Sequence, residues 1–371
     1  MRKVKIILAG GARPNFVKIA PLYHSFSRHN RINPILVHTG QHSDQNMSEQ
    51  FFNDLSLPQP DYFLQSENTS PNRLTAQILI SFEKVLRKEH PDLVVVTGDV
   101  TSTVACALAA VNEKIPVAHV EAGLRSKDKT MPEEINRIIT DHLSQWLFVS
   151  ESEAIHNLMN ENIPLEKISF AGNVMIDSLH YHLKSNRKAE LNSILPKSPY
   201  ILVTMHRPSN VDSKENLLNT VSMIEQIAAL RPVVFPVHPR TQKKLMEYQL
   251  LQRLTDHPDI FLKEPLGYHV FMQLMRGAEA VVTDSGGVQE ETTYLQIPCL
   301  TFRESTERPV TVSEGTNYLI HDLETASLVT QLRLILRGKI KPSKIPQLWD
   351  GNTAHRITEV ILADFDKADL T

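Results

Sequence analysis

Residues 280–291 read AVVTDSGGVQEE: a short apolar run, then Thr283-Asp284-Ser285-Gly286-Gly287, then a helical start carrying Glu290 and Glu291. An apolar run this short, closed by glycines, reads as a strand buried on both faces of a parallel sheet. Two glycines let the backbone approach a ligand closely, and the helix beginning there offers unpaired N–H groups at the positive end of its dipole. That junction suits a phosphate. The two glutamates do not, which leaves open what ligand wants both.

The same grammar extends outward in both directions. YILVTMH, PVVFPVH, IFLKEP, IPCLTF and NYLIHD surround it in the second half, and VKIILAG, NPILVHT, DLVVVTGD, IPVAHVEAG, WLFVS and KISFAG precede them in the first, with amphipathic segments between. Two successive βα series predict an α/β fold of two Rossmann-like doubly wound domains, with ligands at the carboxyl ends of the strands and the default site in a cleft between the domains. The expected division is 1–172 and 173–352, with a last helix in 353–371 free to pack back on the first domain, and the polar stretch Lys184–Pro199 as the linker region.

A chain of 371 residues is long enough for two such cores. Apolar residues are 41% and charged residues 22%, and the net charge of −3 gives no basic field for nucleic acid. Cys106 and Cys299 sit in apolar surroundings, as core residues of a protein in a reducing cytoplasm do. No run approaches a membrane span, and MRKVKIILAGG reads as a first strand, not a signal peptide.

Polar residues collect just after the strands: Arg13 and Lys18 after the first, Asp99 in TGD, Glu121 in HVEAG, His206 in MHRPSN, His238 and Arg240 in PVHPR. Each has an ordinary reading as a solvated cation, a cap or a loop histidine. In MPEEINR, Pro132 followed by Glu133 and Glu134 is a natural helix start, and Arg137 is spaced to pair with either acid. One residue turns a helix by about 100°, so only one of those two acids can face a ligand. GGARPNF is not GxGxxG, and neither a Walker loop nor HExxH or paired-cysteine spacing occurs; the expectation is no NAD, no ATP-driven transfer and no metal.

Taken in order, GARPNFVK, VHTGQHSDQNMSEQFF, TGDVTSTVACALAA, HVEAGLR, MPEEINR, HRPSN, PVHPRT, DSGGVQEE and STERP resemble the non-hydrolysing UDP-N-acetylglucosamine 2-epimerase family, over residues 4 to about 320. The resemblance implies the GT-B arrangement and answers the opening question. A UDP-sugar wants N–H donors for its diphosphate and a carboxylate for its ribose diol, carried over to Ser285, Gly286, Gly287 and Glu291. It further implies elimination of UDP to a 2-acetamidoglucal and re-addition, with Asp99, Glu121, Glu133 and His206 as catalytic candidates and Arg13 and Lys18 beside the diphosphate. No cofactor is implied, and the partners implied are the UDP-sugar and a second copy in a homodimer.

Relatives regulated by a second UDP-N-acetylglucosamine carry QHRxM and HRRE, where this chain has Ser43 and Pro208, so that regulatory site lacks two charged contacts. QHSDQNMSEQFF, MPEEINR and HPRT also resemble relatives acting on UDP-2,3-diacetamido-2,3-dideoxyglucuronate. The competing functions are a GT-B glycosyltransferase, which needs one base and a diphosphate clamp, a silent nucleotide-sugar binder, which would shed its acids, and a hydrolysing epimerase. Surface polysaccharide precursors are the natural destination of the product.

Overall fold

β1 (Val4–Gly10) is buried because it lies between two strands of its own sheet and carries Ile6, Ile7 and Leu8 with no exposed surface. The computed structural model describes residues 3–41, 52–64, 70–184, 195–196 and 198–369. The first sheet also contains β2 (Ile32–His38), β3 (Tyr62–Phe63), β4 (Leu93–Thr97), β5 (Val117–Val120), β6 (Trp146–Val149) and β7 (Ile168–Phe170), all parallel in the order β3-β2-β1-β4-β5-β6-β7. β3 was not expected. It is a two-residue edge strand on β2, too short to leave a periodic signal.

The second sheet is parallel in the order β10-β9-β8-β11-β12-β13, made from β8 (Ile201–Thr204), β9 (Val233–Pro236), β10 (Ile260–Lys263), β11 (Ala280–Thr283), β12 (Cys299–Thr301) and β13 (Asn317–Leu319). The strand order reverses between β1 and β4 in one sheet and between β8 and β11 in the other. Loops leaving these neighbours diverge to opposite faces and open a crevice at the strand ends. The GGARPN and TGD turns meet at the first switch point, and the MHRPSN and TDSGG turns at the second.

The chain divides into residues 1–183 with 347–371, and residues 184–346. The change falls at Lys184 rather than at residue 172, because helix Val174–Lys184 is tied to helix Arg13–Arg28 of the first unit: Ser178 Oγ donates to Val17 O. Asp177 on that helix accepts the Thr353 and Ala354 amides at 3.1 and 2.7 Å, capping the last helix, Thr353–Asp369. Trp349 Nε1 donates to Ser150 O at 2.9 Å and Trp146 Nε1 to Asp364 at 2.8 Å, so residues 347–352 and the last helix both belong to the first unit. Among the described residues no helix is long and apolar enough to cross a membrane.

Candidate active site

In the first unit the turn after β1 is built by Asn15. Its Oδ1 accepts the Gly11 and Ala12 amides at 3.3 and 3.1 Å, and its Nδ2 donates to Thr97 O at 2.8 Å, locking the β1 exit to the end of β4. Gly11 has no room for a side chain, since a Cβ there would lie 2.0 Å from Ser102 Oγ. Helix Arg13–Arg28 then starts with Arg13 exposed and Lys18 buried. Lys18 Nζ forms a buried ion pair with Glu121 Oε2. Its Nζ also lies 3.1 Å from where a Cβ on Gly98 would sit, so Lys18, Gly98 and Glu121 converge.

Glu121 has φ of +73°, a left-handed backbone that costs a non-glycine residue about 1 kcal/mol or more. Asp99 Oδ2 pairs with Arg137 Nη2, and its carbonyl accepts Asn136 Nδ2 at 2.8 Å. Helix Pro132–Leu143 separates its two acids as the 100° rotation requires. Glu134 is buried, accepts the Ser126 and Lys127 amides at 2.8 and 2.9 Å, and pairs with Arg137 Nη1 at 3.1 Å; Glu133 is exposed. One arginine thus joins Asp99 to Glu134.

In the second unit, helix Gly286–Leu295 begins directly after Ser285, whose amide donates to Thr283 Oγ1 at 3.0 Å. A Cβ on Gly286 would lie 2.6 Å from Arg308 Nη1, so the glycine admits that guanidinium over the turn. Arg308 Nε lies 2.9 Å from Glu290, and Glu307 gathers Arg303 at 2.7 Å and Arg308 at 3.0 Å. Glu291 is buried and accepts Tyr268 Oη at 2.8 Å. Burial pushes its carboxyl up to about 8, with Glu290 adding and Tyr268 opposing. His206, after β8, sets Nδ1 2.9 Å from buried Asp284. Arg240 is engaged with Asp212 at 2.5 Å, and His238 accepts the Arg240 amide at 3.2 Å as the cap of helix Pro239–Glu247.

A glycine turn at a switch point beside a buried acid, and two carboxylates paired with cations at adjacent strand ends, suit a nucleotide-sugar. The family model for UDP-N-acetylglucosamine 2-epimerase matches residues 24–362. The chain belongs to that family. It is 42% identical to the UDP-N-acetylglucosamine 2-epimerase of Methanocaldococcus jannaschii over 366 residues, 97% of this chain and 98% of that one. It is 39% identical to the UDP-2,3-diacetamido-2,3-dideoxy-D-glucuronate 2-epimerase of Pseudomonas aeruginosa, over 96% of this chain and 99% of that one. The crystal structure of the Methanocaldococcus jannaschii enzyme in complex with UDP-GlcNAc and UDP is similar with a TM-score of 0.89 at 41% identity, covering 97% of this chain and 99% of that one. The family is one of isomerases, and the fold is α/β of the GT-B class.

Against the epimerase pattern, the structure brings Lys18, Asp99 and Glu121 to neighbouring strand ends of the first unit, and His206 and Ser285 to those of the second. Pro208 opens the short helix Pro208–Val211, and Ser43 lies outside the described residues. Sequence reasoning passed over Asn15, His119, Asp141, Asp284 and Tyr268. Asp284 had a signal, an acid at the last position before Ser-Gly-Gly; the others became visible only through partners far along the chain.

Proposed function

We propose that this chain is a non-hydrolysing UDP-N-acetylglucosamine 2-epimerase, interconverting UDP-N-acetylglucosamine and UDP-N-acetylmannosamine as a cytoplasmic homodimer that serves surface polysaccharide synthesis. A base takes the C2 proton, the C1–O bond to the diphosphate breaks, the C1=C2 bond of a 2-acetamidoglucal forms and UDP departs. Re-addition of UDP at C1, with protonation of C2 from the opposite face, gives the epimer. Asp99, Glu121, Glu133 and His206 are the proton-transfer groups. Arg13, Lys18 and the Ser285-Gly286-Gly287 turn hold the diphosphate, whose departing charge needs N–H donors and cations. Glu291 accepts from the ribose hydroxyls.

The observation that carries this reading is the pairing of two acids on adjacent strand ends with two different cations, Asp99 with Arg137 and Glu121 with Lys18. Two-sided proton transfer needs more than one such group, whereas a glycosyltransferase needs one base. The deciding experiment incubates purified protein with UDP-N-acetylglucosamine in heavy water and follows products by NMR. Conversion to the 2-epimer with deuterium at C2 is expected; conversion that retains the original hydrogen would end the elimination mechanism, and no conversion would end the substrate assignment. The 39% identity to the Pseudomonas aeruginosa enzyme favours a second substrate, UDP-2,3-diacetamido-2,3-dideoxyglucuronate, tested in the same way.

A further inference from the structure

Beside Asp99 and Glu121, the first unit buries a histidine–aspartate pair, His119 and Asp141. His119 on β5 sets Nδ1 2.6 Å from Oδ1 of Asp141, on helix Pro132–Leu143, and Nε2 2.8 Å from Gly98 O. A peptide carbonyl only accepts, and a carboxylate ion only accepts, so both ring nitrogens donate. Asp141 Oδ2 takes the Gly123 amide at 3.1 Å and Arg125 Nη2 at 2.7 Å. Arg125 in turn holds Glu161 through Nε and Nη2, each at 2.7 Å. Burial alone would raise the Asp141 carboxyl, but His119 and Arg125 outweigh it and hold it below its ordinary range.

The backbone groups held by this pair flank the two acids. Gly98 immediately precedes Asp99, and Gly123 follows Glu121 by two residues. Gly98, Glu121 and Gly123 have φ of +68°, +73° and +76°, so both turns run through left-handed backbone, one of them at a glutamate. Such a conformation persists only where its surroundings dictate it. We infer that His119 and Asp141 are positioning residues, which set Asp99 and Glu121 in place by clamping the Gly98 carbonyl and the Gly123 amide to one buried pair. They act through the backbone and touch no substrate. The kinetic consequence rests on the epimerase reading; the clamp itself does not.

The test uses His119→Gln and Asp141→Asn in the full chain. Glutamine carries both its N–H donors on a single nitrogen and cannot span from Gly98 O to Asp141 as the two ring nitrogens do, while asparagine keeps the aspartate shape without its charge. With UDP-N-acetylglucosamine, kcat is expected to fall about 100-fold while KM and UDP affinity stay within about three-fold, since displacement of reacting groups lowers turnover before binding. Asp141→Glu, which keeps the charge, is expected to recover part of the loss. In both test variants, amide hydrogen exchange over 98–101 and 121–125 should quicken by about ten-fold, with β1 and the second sheet unchanged. A folded variant with parental kcat, or one losing kcat, KM and UDP affinity together, would overturn the inference. If the parent does not convert UDP-N-acetylglucosamine, the epimerase reading fails by itself and exchange decides the clamp, with unchanged exchange refuting it. Should His119→Gln not fold, Asp141→Asn carries the same measurements; failure of both to fold would make the pair a folding element and refute a positioning role.

Discussion

Asp284 holds His206 from three directions: its carboxylate receives Nδ1 of the ring at 2.9 Å, the His206 amide at 2.9 Å and, one residue on, the Arg207 amide at 2.8 Å. Asn210 Nδ2 adds a fourth contact at 3.0 Å. Burial would raise this carboxyl, but the bonds from His206, Asn210 and Arg207 keep it below its ordinary range. With Nδ1 committed, Nε2 is the ring nitrogen left for proton transfer or for the leaving phosphate. Asp284→Asn is expected to lower epimerase turnover by about 100-fold, because it loosens the ring and removes the partner of its charged form. Turnover within two-fold of the parent, measured by NMR product formation, would remove His206 from the mechanism.

Asp99→Asn and Glu121→Gln are expected to reduce turnover by at least about 100-fold while UDP affinity, measured by calorimetry, changes only a few-fold. Glu121→Gln carries a second signature. It leaves Lys18 buried without its counter-ion, and removing one partner of a buried pair destabilises by roughly 3–5 kcal/mol. A lowered melting temperature in Glu121→Gln that Lys18→Met added on top partly reverses would establish that coupling.

Glu133 and Glu134 should separate by assay. Glu134→Gln weakens two loop bonds and the Arg137 pair, a buried loss on the order of 1–3 kcal/mol that denaturant titration can read. Glu133→Gln, exposed, is expected to leave stability within about 0.5 kcal/mol and to lower turnover. Normal turnover in Glu133→Gln would transfer the catalytic assignment elsewhere.

Glu291 makes stability depend on pH. Its folded-state carboxyl is pushed from 4.5 up to about 8 by burial, so the folded protein holds that proton more tightly than the unfolded chain. Its contribution is complete below about pH 4.5 and is lost as pH rises toward 8. Melting temperature should therefore decline across pH 5 to 8 more steeply in the parent than in Glu291→Gln, which cannot titrate. Parallel profiles would show that Glu291 is ionised in the fold. Glu291→Ala is separately expected to weaken UDP binding with less effect on turnover of bound substrate.

Strand runs, their parallel pairing and the glycine-rich start of helix Gly286–Leu295 were determined by the sequence itself, because burial on both faces writes continuous apolar runs and a close-approach turn demands glycine. Asp99 and Glu121 were legible for a similarly local reason, since each stands at the end of a strand, and Glu133 as an acid in the first turn of a helix opened by Pro132. What only the tertiary structure decided were the relations across the chain. Glu134 faced inward and accepted the amides of the loop at 126–127 while Glu133 faced outward, and Lys18 met Glu121 because helix Arg13–Arg28 packs on β1 and β4, beside the strand that ends at Glu121. His119 and Asp141, 22 residues apart, read in sequence as an ordinary strand histidine and a helix acid. The last helix joined the first unit through Asp177, 176 residues before Thr353. Local chemistry follows from neighbours along the chain, but a hydrogen bond between distant residues depends on where two separately formed elements pack, and no period or motif records that.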